Sequence, residues 1–245
     1  MLNYAILGIL QGIFEWIPIS SEGVVALVSN FLIDGTNPVD MALFLHLGTF
    51  FAILVYFRDE WKKILTFKDN QLLLFLIIST PISLVIGYPL YKIVGSMAIG
   101  NTLLLIMGFG LLLTAYFHKT KRFSELSINK LAVIAGVLQG LAVIPGLSRS
   151  GSTIFGLSFG KLSPAEILKF SYMMSAPVVL ASSIYLFLGN PSIVLGAWIS
   201  LIFSFLVGIL SLHFLLKLAS RMNFFKFALI FALLCFLGAA IGFII

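Results

Sequence analysis

The stretches QGIFEWIPISSEG, residues 11–23, and QGLAVIPGLSRSGST, residues 139–153, are polar interruptions of segments that are otherwise apolar enough to lie in a lipid bilayer. Each contains a proline, at least two glycines and a cluster of serines. A helix that crosses a bilayer in a single pass would be apolar at this point. The sequence therefore predicts that residues 2–31 and residues 130–161 each form a re-entrant pair of broken helices.

Both stretches carry an ionisable residue at the depth of the bilayer, Glu15 in the first and Arg149 in the second. Placing such a group there costs at least about 2.5 kcal/mol, so each is expected to face a cavity lined by protein and to have a partner. The natural partners are the two residues themselves or, for Arg149, a phosphate group. We therefore expect these two side chains to belong to a functional site.

The composition of the 245-residue chain is that of an integral membrane protein, with 60% hydrophobic residues, 10% charged residues and a mean hydropathy of +1.14. A soluble domain of this length has too little interior to bury so much apolar surface. Six apolar runs have the length of a transmembrane helix. The sequence predicts an all-α membrane protein whose six spans cover residues 41–57, 71–93, 100–117, 165–188, 193–216 and 224–244.

The net charge of +6 is distributed as a signal of membrane topology. Lysines and arginines follow the first, third and fifth predicted spans, in residues 58–68, 119–130 and 217–226, whereas residues 32–40 and 189–193 contain none. Because short cytoplasmic loops collect positive charge, we expect both termini and the opening of the site on the outer side of the cell membrane. Basic residues scattered over three loops make nucleic acid a poor partner.

An internal repeat relates the two halves of the chain, because ILGILQG at residues 6–12 matches IAGVLQG at residues 134–140. We divide this single membrane domain into repeat one, about residues 1–122, and repeat two, about residues 128–245. Each repeat is a broken pair followed by three spans, and an odd number of spans inverts the second copy. The tips of the two broken pairs would then meet near the midplane of the bilayer. This architecture suits a transporter as well as an enzyme.

The second polar stretch resembles a cradle for a phosphate group. Glycines let the backbone turn and expose N–H groups, hydroxyls add donors, and the planar guanidinium of Arg149 matches phosphate oxygens. Small residues alone would also serve close helix packing in a membrane, but packing needs no cation, so we favour an anion site. The predicted substrate-binding residues are Gly146, Ser148, Ser150, Gly151 and Thr153.

The first polar stretch spaces Gln11 and Glu15 by four residues, so both side chains project from one face of a helix. Together they could hold one divalent cation, because Mg²⁺ takes a few protein oxygens together with phosphate oxygens and water. The alternative is that Glu15 is only the buried counter-ion of Arg149. Ser20 and Ser21 lie at the tip of the broken pair, where either hydroxyl could attack phosphorus or only donate a hydrogen bond to it.

Three segments together carry a resemblance to a known family. They are the Gln-x-x-x-Glu helix with its Pro-x-Ser-Ser turn at residues 11–21, His-Leu-Gly-Thr at residues 46–49, and Pro-Gly-x-Ser-Arg-Ser-Gly-x-Thr at residues 145–153. In this order, and over essentially its whole length, the chain resembles the bacitracin-resistance-type undecaprenyl-diphosphatase family. The resemblance implies hydrolysis of a polyprenyl diphosphate, undecaprenyl or dolichol-like, to the monophosphate and inorganic phosphate at the outer face of the cell membrane. This reaction recycles the lipid carrier of cell-envelope glycan synthesis.

The resemblance also implies a divalent cation, Mg²⁺ or Ca²⁺, and a fold of two inverted repeats. Carried over position by position, it makes Glu15, Ser20, Ser21 and Arg149 the catalytic candidates. Glu15 and Gln11 are the expected metal ligands. The expected partners are the polyprenyl diphosphate and membrane lipids. Assembly into a homo-oligomer is a further possibility.

Three positions depart from the family pattern. Gln11 stands where many members have glutamate, which removes one negative charge from a metal site. Val24 stands where a histidine is usual, and Glu22 replaces a small hydroxyl residue. If that histidine is the general base of the family, this chain lacks it. Either Ser21 then acts with Glu15 or Glu22 as its base, or the activity of this member is weak or altered.

In the expected mechanism, Arg149 and the loop N–H groups bind the terminal phosphate, and Ser21 attacks in line or positions a water molecule while a carboxylate accepts the proton. The main alternative is a transporter or flippase of a lipid phosphate or another anion. A structural membrane subunit without activity is a third interpretation. We interpret His46 as a packing residue, although it is the histidine deep enough in an apolar span to replace the missing imidazole.

Overall fold

A computed structural model describes most of the chain, in six ranges: residues 1–33, 38–93, 100–120, 126–144, 147–189 and 194–244. Within these ranges the chain is helical and has no β-strand. Gly146, one of the predicted substrate-binding residues, lies outside the described residues, as does Pro145. The all-α class predicted from the sequence is confirmed for the described part of the chain.

Eleven helices follow one another in the described ranges. They are α1 (Leu2–Phe14), α2 (Ser21–Leu32), α3 (Pro38–Tyr56), α4 (Arg58–Leu65), α5 (Asn70–Ile93), α6 (Gly100–Thr120), α7 (Ile128–Leu141), α8 (Arg149–Leu157), α9 (Pro164–Gly189), α10 (Val194–Ala219) and α11 (Phe224–Ile244).

Four of these helices contain a stretch long and apolar enough to cross a membrane: Asn70–Lys92, Pro164–Leu188, Ala197–Ala219 and Phe224–Ile244. A fifth candidate span is formed by α3 and α4 together, which meet at a bend of 74°. The remaining predicted span, residues 100–117, coincides with the 21-residue helix α6. The chain is therefore a multi-pass membrane protein, and each of the six predicted spans coincides with a helix.

Each predicted broken pair consists of two short helices. In the first pair, α1 ends at Phe14, one turn earlier than Pro18, and α2 begins at Ser21 after Ser20 adopts a left-handed backbone with φ of 62°. In the second pair, α7 ends at Leu141 and α8 begins at Arg149. Each polar stretch thus begins in the last turn of one helix of a broken pair and ends in the first turns of the next helix.

The helix α4 is an element that we did not predict, because residues 58–68 read as a charged loop. Its sequence RDEWKKIL places Asp59 and Glu60 in the first turn and Lys62 and Lys63 in the last. This order favours a helix, since acidic groups interact favourably with the N-terminal end of the helix dipole and basic groups with the C-terminal end. One apolar residue, Ile64, is buried and ties the short helix to the core.

Close packing between the two halves of the chain holds the short helices in place. The helix α1 packs against α10, and α7 packs against α5. A Cβ atom added to Gly12 would lie 2.7 Å from the backbone nitrogen of Gly208, and one added to Gly136 would lie 2.8 Å from the carbonyl oxygen of Ser79. Glycine at these positions lets the backbones approach each other, as small residues do in membranes.

Trp16 and Tyr172 anchor the first turn to the rest of the core. The indole N–H of Trp16 donates to the carbonyl oxygen of Gly208 at 3.1 Å and to Ser211 Oγ at 2.9 Å. The hydroxyl of Tyr172, on α9, donates to the Trp16 carbonyl oxygen at 2.6 Å, and the two rings meet edge to face with centroids 5.1 Å apart. The turn that follows Glu15 is therefore fixed by both α9 and α10.

Candidate active site

The turns of both broken pairs meet at one pocket. The starts of α2 and α8 both line it, so two helix N-termini bring their free N–H groups and positive dipole ends to the same place. Such an environment favours an anion. The pocket is lined by Phe14, Glu15, Ile17, Ser20, Ser21, Glu22, His46, Ala142, Leu147, Ser148, Arg149 and Ser150.

Glu15 is the central acceptor of this pocket and is only 4% exposed. Its Oε1 atom forms an ion pair with Arg149 Nη2 across 134 residues of sequence. Its Oε2 atom accepts hydrogen bonds from Gln11 Nε2 at 2.7 Å and from Ser21 Oγ at 2.9 Å, and it lies 3.1 Å from His46 Nε2. The two charged residues expected to be partners are therefore in contact, and Glu15 also touches one of the two candidate nucleophiles.

Arg149 is the first residue of α8 and retains free hydrogen-bonding capacity. Within the described ranges, its Nη1 atom is buried without a hydrogen-bond partner. A guanidinium has five N–H donors in a planar fork, and a phosphate group is the ligand that best matches them. The geometry therefore leaves Arg149 able to bind an anion while it stays paired with Glu15.

Ser148 and Ser150 lie on either side of Arg149 and both line the pocket. Ser148 caps α8, because its Oγ accepts from the Gly151 N–H at 3.3 Å, and it lies 3.1 Å from Ser150 Oγ. Ser150 donates to the carbonyl oxygen of Ile17 at 3.0 Å and so ties the second turn to the first. A helix therefore starts within the phosphate-cradle motif, at Arg149.

Gly151 and Thr153, the other two predicted substrate-binding residues in the described ranges, do not line the pocket. A Cβ atom on Gly151 would lie 2.8 Å from Pro18 Cβ, so this glycine permits contact between the two broken pairs. Thr153 Oγ1 donates to the Arg149 carbonyl oxygen at 3.0 Å and lies 2.6 Å from Ser171 Oγ on α9. Gly151 therefore lies against the turn of the first broken pair and Thr153 beside α9.

His46 lines the pocket, although we assigned it to packing from the sequence. Its Nε2 atom contacts Glu15, and its Nδ1 atom lies 2.8 Å from the Ala42 carbonyl oxygen one turn earlier on α3. The sequence did contain an indication that His46 belongs near the site, because this residue begins one of the three segments that carry the family resemblance. A lone histidine in an apolar span gives no sign that α3 packs against both α1 and α2, which is what brings the ring to the pocket.

The oxygen atoms available to a divalent cation are few. Glu15 and Glu22 place two carboxylates in the pocket. The amide oxygen of Gln11 is buried without a hydrogen-bond partner in the described ranges, but Gln11 does not line the pocket. No group of three or more His, Cys, Asp or Glu residues suited to a metal occurs in the part of the chain that the structure describes. This donor set fits a cation such as Mg²⁺, which takes one or two carboxylates and completes its shell with phosphate oxygens and water.

Comparison with known proteins identifies the family to which the chain belongs. The family model described as "Bacitracin resistance protein BacA" matches residues 4–238, which include both polar stretches. An undecaprenyl-diphosphatase of Methanococcoides burtonii is 32% identical, over 91% of this chain and 92% of the relative. Proteins of the same name from Haloarcula marismortui and Sulfurisphaera tokodaii are 34% and 32% identical, each over 92% of both chains. The chain therefore belongs to the bacitracin resistance protein BacA family.

Proposed function

We propose that the protein hydrolyses the diphosphate of a polyprenyl carrier lipid, undecaprenyl or dolichol-like, to the monophosphate and inorganic phosphate. One observation carries this proposal: Ser21 donates a hydrogen bond to Glu15, which is paired with Arg149, in a pocket at two helix N-termini. A hydroxyl beside a carboxylate base, together with a cation that has a free N–H, matches the needs of phosphoryl transfer. The name of the relatives, undecaprenyl-diphosphatase, supports the same reaction.

The terminal phosphate binds at Arg149 Nη1, which has no other partner in the described ranges. The hydroxyls of Ser148 and Ser150 and the N–H groups at the starts of α2 and α8 add further donors. The apolar part of the pocket lining, which includes Phe14, Ile17 and Leu147, faces the prenyl tail. Positioning the substrate in this way supplies much of the rate enhancement expected of such an enzyme.

In the first step, Ser21 Oγ attacks the terminal phosphorus. A bond forms between Oγ and phosphorus, the bond from phosphorus to the bridging oxygen breaks, and its electron pair leaves with the polyprenyl monophosphate. The Ser21 proton passes to Glu15 Oε2, which lies 2.9 Å from Oγ. In the second step, water attacks the phosphoserine, the Oγ–phosphorus bond breaks, Glu15 returns its proton to Oγ, and the water proton leaves to solvent.

A divalent cation, Mg²⁺ or Ca²⁺, belongs to this proposal. Glu15 and Gln11 would hold it, and Glu22, which lines the same pocket as Glu15, would add a further oxygen donor. Both oxygens of Glu15 accept from other groups, so one of these contacts would have to give way to the cation. When bound, the cation neutralises charge on the diphosphate.

The six spans and the inverted repeat remain part of the proposal. The packing of the helices supports the repeat. If α1 of repeat one corresponds to α7 of repeat two, and α5 corresponds to α10, then the packed pair α1–α10 corresponds to the packed pair α7–α5. The basic residues after the first, third and fifth spans support an outer location of both termini. A cysteine at position 68 that reacts with a membrane-impermeant reagent from outside intact cells would contradict this orientation.

The test is phosphate release from undecaprenyl diphosphate by the purified protein in detergent. We expect release of inorganic phosphate and formation of the monophosphate with Mg²⁺ or Ca²⁺, loss of release with a chelator, and no release from the polyprenyl monophosphate. Folded protein that binds the lipid but releases no phosphate would contradict the proposal. That result would favour the carrier interpretation, which lipid translocation in proteoliposomes then tests.

A further inference from the structure

His46 contacts the pocket carboxylate from a helix that carries none of the other polar groups around Glu15. The ring lies between two acceptors, with Nδ1 2.8 Å from the Ala42 carbonyl oxygen and Nε2 3.1 Å from Glu15 Oε2. Each ring nitrogen thus lies within hydrogen-bonding distance of an oxygen acceptor. Because His46 is 9% exposed, these contacts are shielded from competing solvent.

Arg149 uses only part of its guanidinium in the pair with Glu15. Its Nη2 atom contacts Oε1, whereas Nη1 has no partner in the described ranges. An arginine that meets a carboxylate favours a bidentate contact, in which two N–H groups take both oxygens. Glu15 does not offer its second oxygen, because Oε2 is held by Gln11, Ser21 and His46.

The three groups that hold Oε2 differ in how firmly they fix it. Gln11 lies one turn before Glu15, so its contact is local to the end of α1. Ser21 is the proposed nucleophile, and its proton leaves during the reaction. His46 is anchored on α3, which packs against α1, α2, α9 and α10. The position of its ring is therefore set by a helix outside the turn between α1 and α2.

We propose that His46 is a positioning residue that keeps Glu15 Oε2 at the Ser21 hydroxyl and prevents Arg149 from taking both oxygens of Glu15. Two consequences follow from one contact: the base stays beside the nucleophile, and Arg149 Nη1 stays free for the terminal phosphate. The inference rests on the proposed function of the pocket. No bond to His46 forms or breaks in the reaction.

Glutamine and asparagine at position 46 separate the two ring nitrogens. The amide nitrogen of glutamine reaches the region of Nε2, whereas that of asparagine reaches only the region of Nδ1. We expect His46→Gln to keep phosphate release within tenfold of wild type, and His46→Asn to lower kcat/KM about 10–100-fold, as loss of an orienting hydrogen bond does at other functional sites. In His46→Asn, kcat should fall because Glu15 Oε2 moves away from the Ser21 hydroxyl. KM should rise because Arg149 Nη1 then pairs with Glu15 and is no longer free for the phosphate.

The controls separate this role from a structural one. His213 lies near the end of α10, 3.3 Å from the hydroxyl of Tyr56 and outside the pocket lining, so His213→Gln and His213→Asn should leave kcat and KM unchanged. Thermal midpoints in detergent should be equal for His46→Gln and His46→Asn. If the asparagine variant does not fold, His46→Met provides a donor-free side chain of similar volume, with the same expected losses.

Each outcome decides the inference. Rescue by glutamine, with losses in kcat and KM for asparagine or methionine at an unchanged thermal midpoint, supports it. Equal activity of the glutamine and donor-free variants overturns it while leaving the proposed function intact. A wild-type protein that releases no phosphate overturns the proposed function and this inference together.

Discussion

At the scale of single residues, one shared carboxylate explains how two charges persist in a membrane. Glu15 is ion-paired with Arg149 and accepts hydrogen bonds from neutral donors, so neither charge is buried alone. Removing one partner of such a pair leaves an uncompensated buried charge, which costs far more than the pair itself contributes. The pair therefore specifies how the two broken helix pairs meet, and it also forms the base and the anion site of the proposed reaction.

The two serines of the first turn are predicted to differ in their roles. Ser21 contacts Glu15, whereas Ser20 is the residue before α2 in a left-handed conformation and makes no side-chain capping bond. We expect Ser21→Ala to lower kcat at least about 1000-fold, as removal of a nucleophile does, and Ser20→Ala to lower it less than about tenfold. Phosphate release at saturating substrate measures both effects.

Ser182→Ala is the matched control for this pair, because Ser182 donates to the Val179 carbonyl oxygen on α9 and lies outside the pocket lining. Its activity should equal that of wild type. An active Ser21→Ala protein beside an inactive Ser20→Ala protein would exchange the two assignments. Activity retained by both variants would favour direct attack by water.

Most polar residues of the site could be predicted from the sequence, because an ionisable group at bilayer depth needs a partner. Glu15, Ser21 and Arg149 came from that argument and from the family resemblance, and the structure brings all three to the pocket. The position of His46 at the pocket could not be predicted, because it depends on which helices pack together. The position of Thr153 beside Ser171 could not be predicted either, because a motif does not reveal which helix a hydroxyl faces.

At the scale of helices, apolar length and polar interruptions predicted where the chain is helical. All six predicted spans and both broken pairs coincide with helices, since a backbone in lipid must satisfy its own hydrogen bonds. The amphipathic helix α4 was missed because a short charged segment has no apolar run. The end of α1 at Phe14 could not be predicted from Pro18, because a proline limits how far a helix can extend but does not fix where it ends.

The glycine contact between α7 and α5 gives a prediction at this scale. An alanine at Gly136 places Cβ 2.8 Å from the Ser79 carbonyl oxygen, whereas an alanine at Gly87 places it 3.3 Å from a flexible Val143 methyl group. Both substitutions gain about 1 kcal/mol of helix propensity. We expect Gly136→Ala to lose about 1–3 kcal/mol from overpacking, so its thermal midpoint in detergent lies below that of Gly87→Ala. Equal midpoints would contradict the close approach of the two helices.

At the scale of the whole molecule, the pocket exists only where the two halves of the chain meet. Glu15 belongs to the first half and Arg149 to the second, 134 residues later, and Ser150 ties the two turns together through Ile17. The internal repeat predicted this meeting, because two copies in inverted orientation would bring their polar turns to a common axis. The sequence did not specify which atoms pair there, since this depends on the packing of α1 on α10 and of α7 on α5.

The most direct test of the account is the rate of phosphate release from undecaprenyl diphosphate by Arg149→Ala, measured beside wild type and the matched variant Arg221→Ala. Arg221 is exposed and does not line the pocket, so its variant should retain the wild-type rate. Loss of an arginine that stabilises a transferring phosphoryl group is expected to lower the rate by about 1000-fold or more. An Arg149→Ala protein with the wild-type rate and thermal midpoint would contradict the assignment of this pocket as the active site.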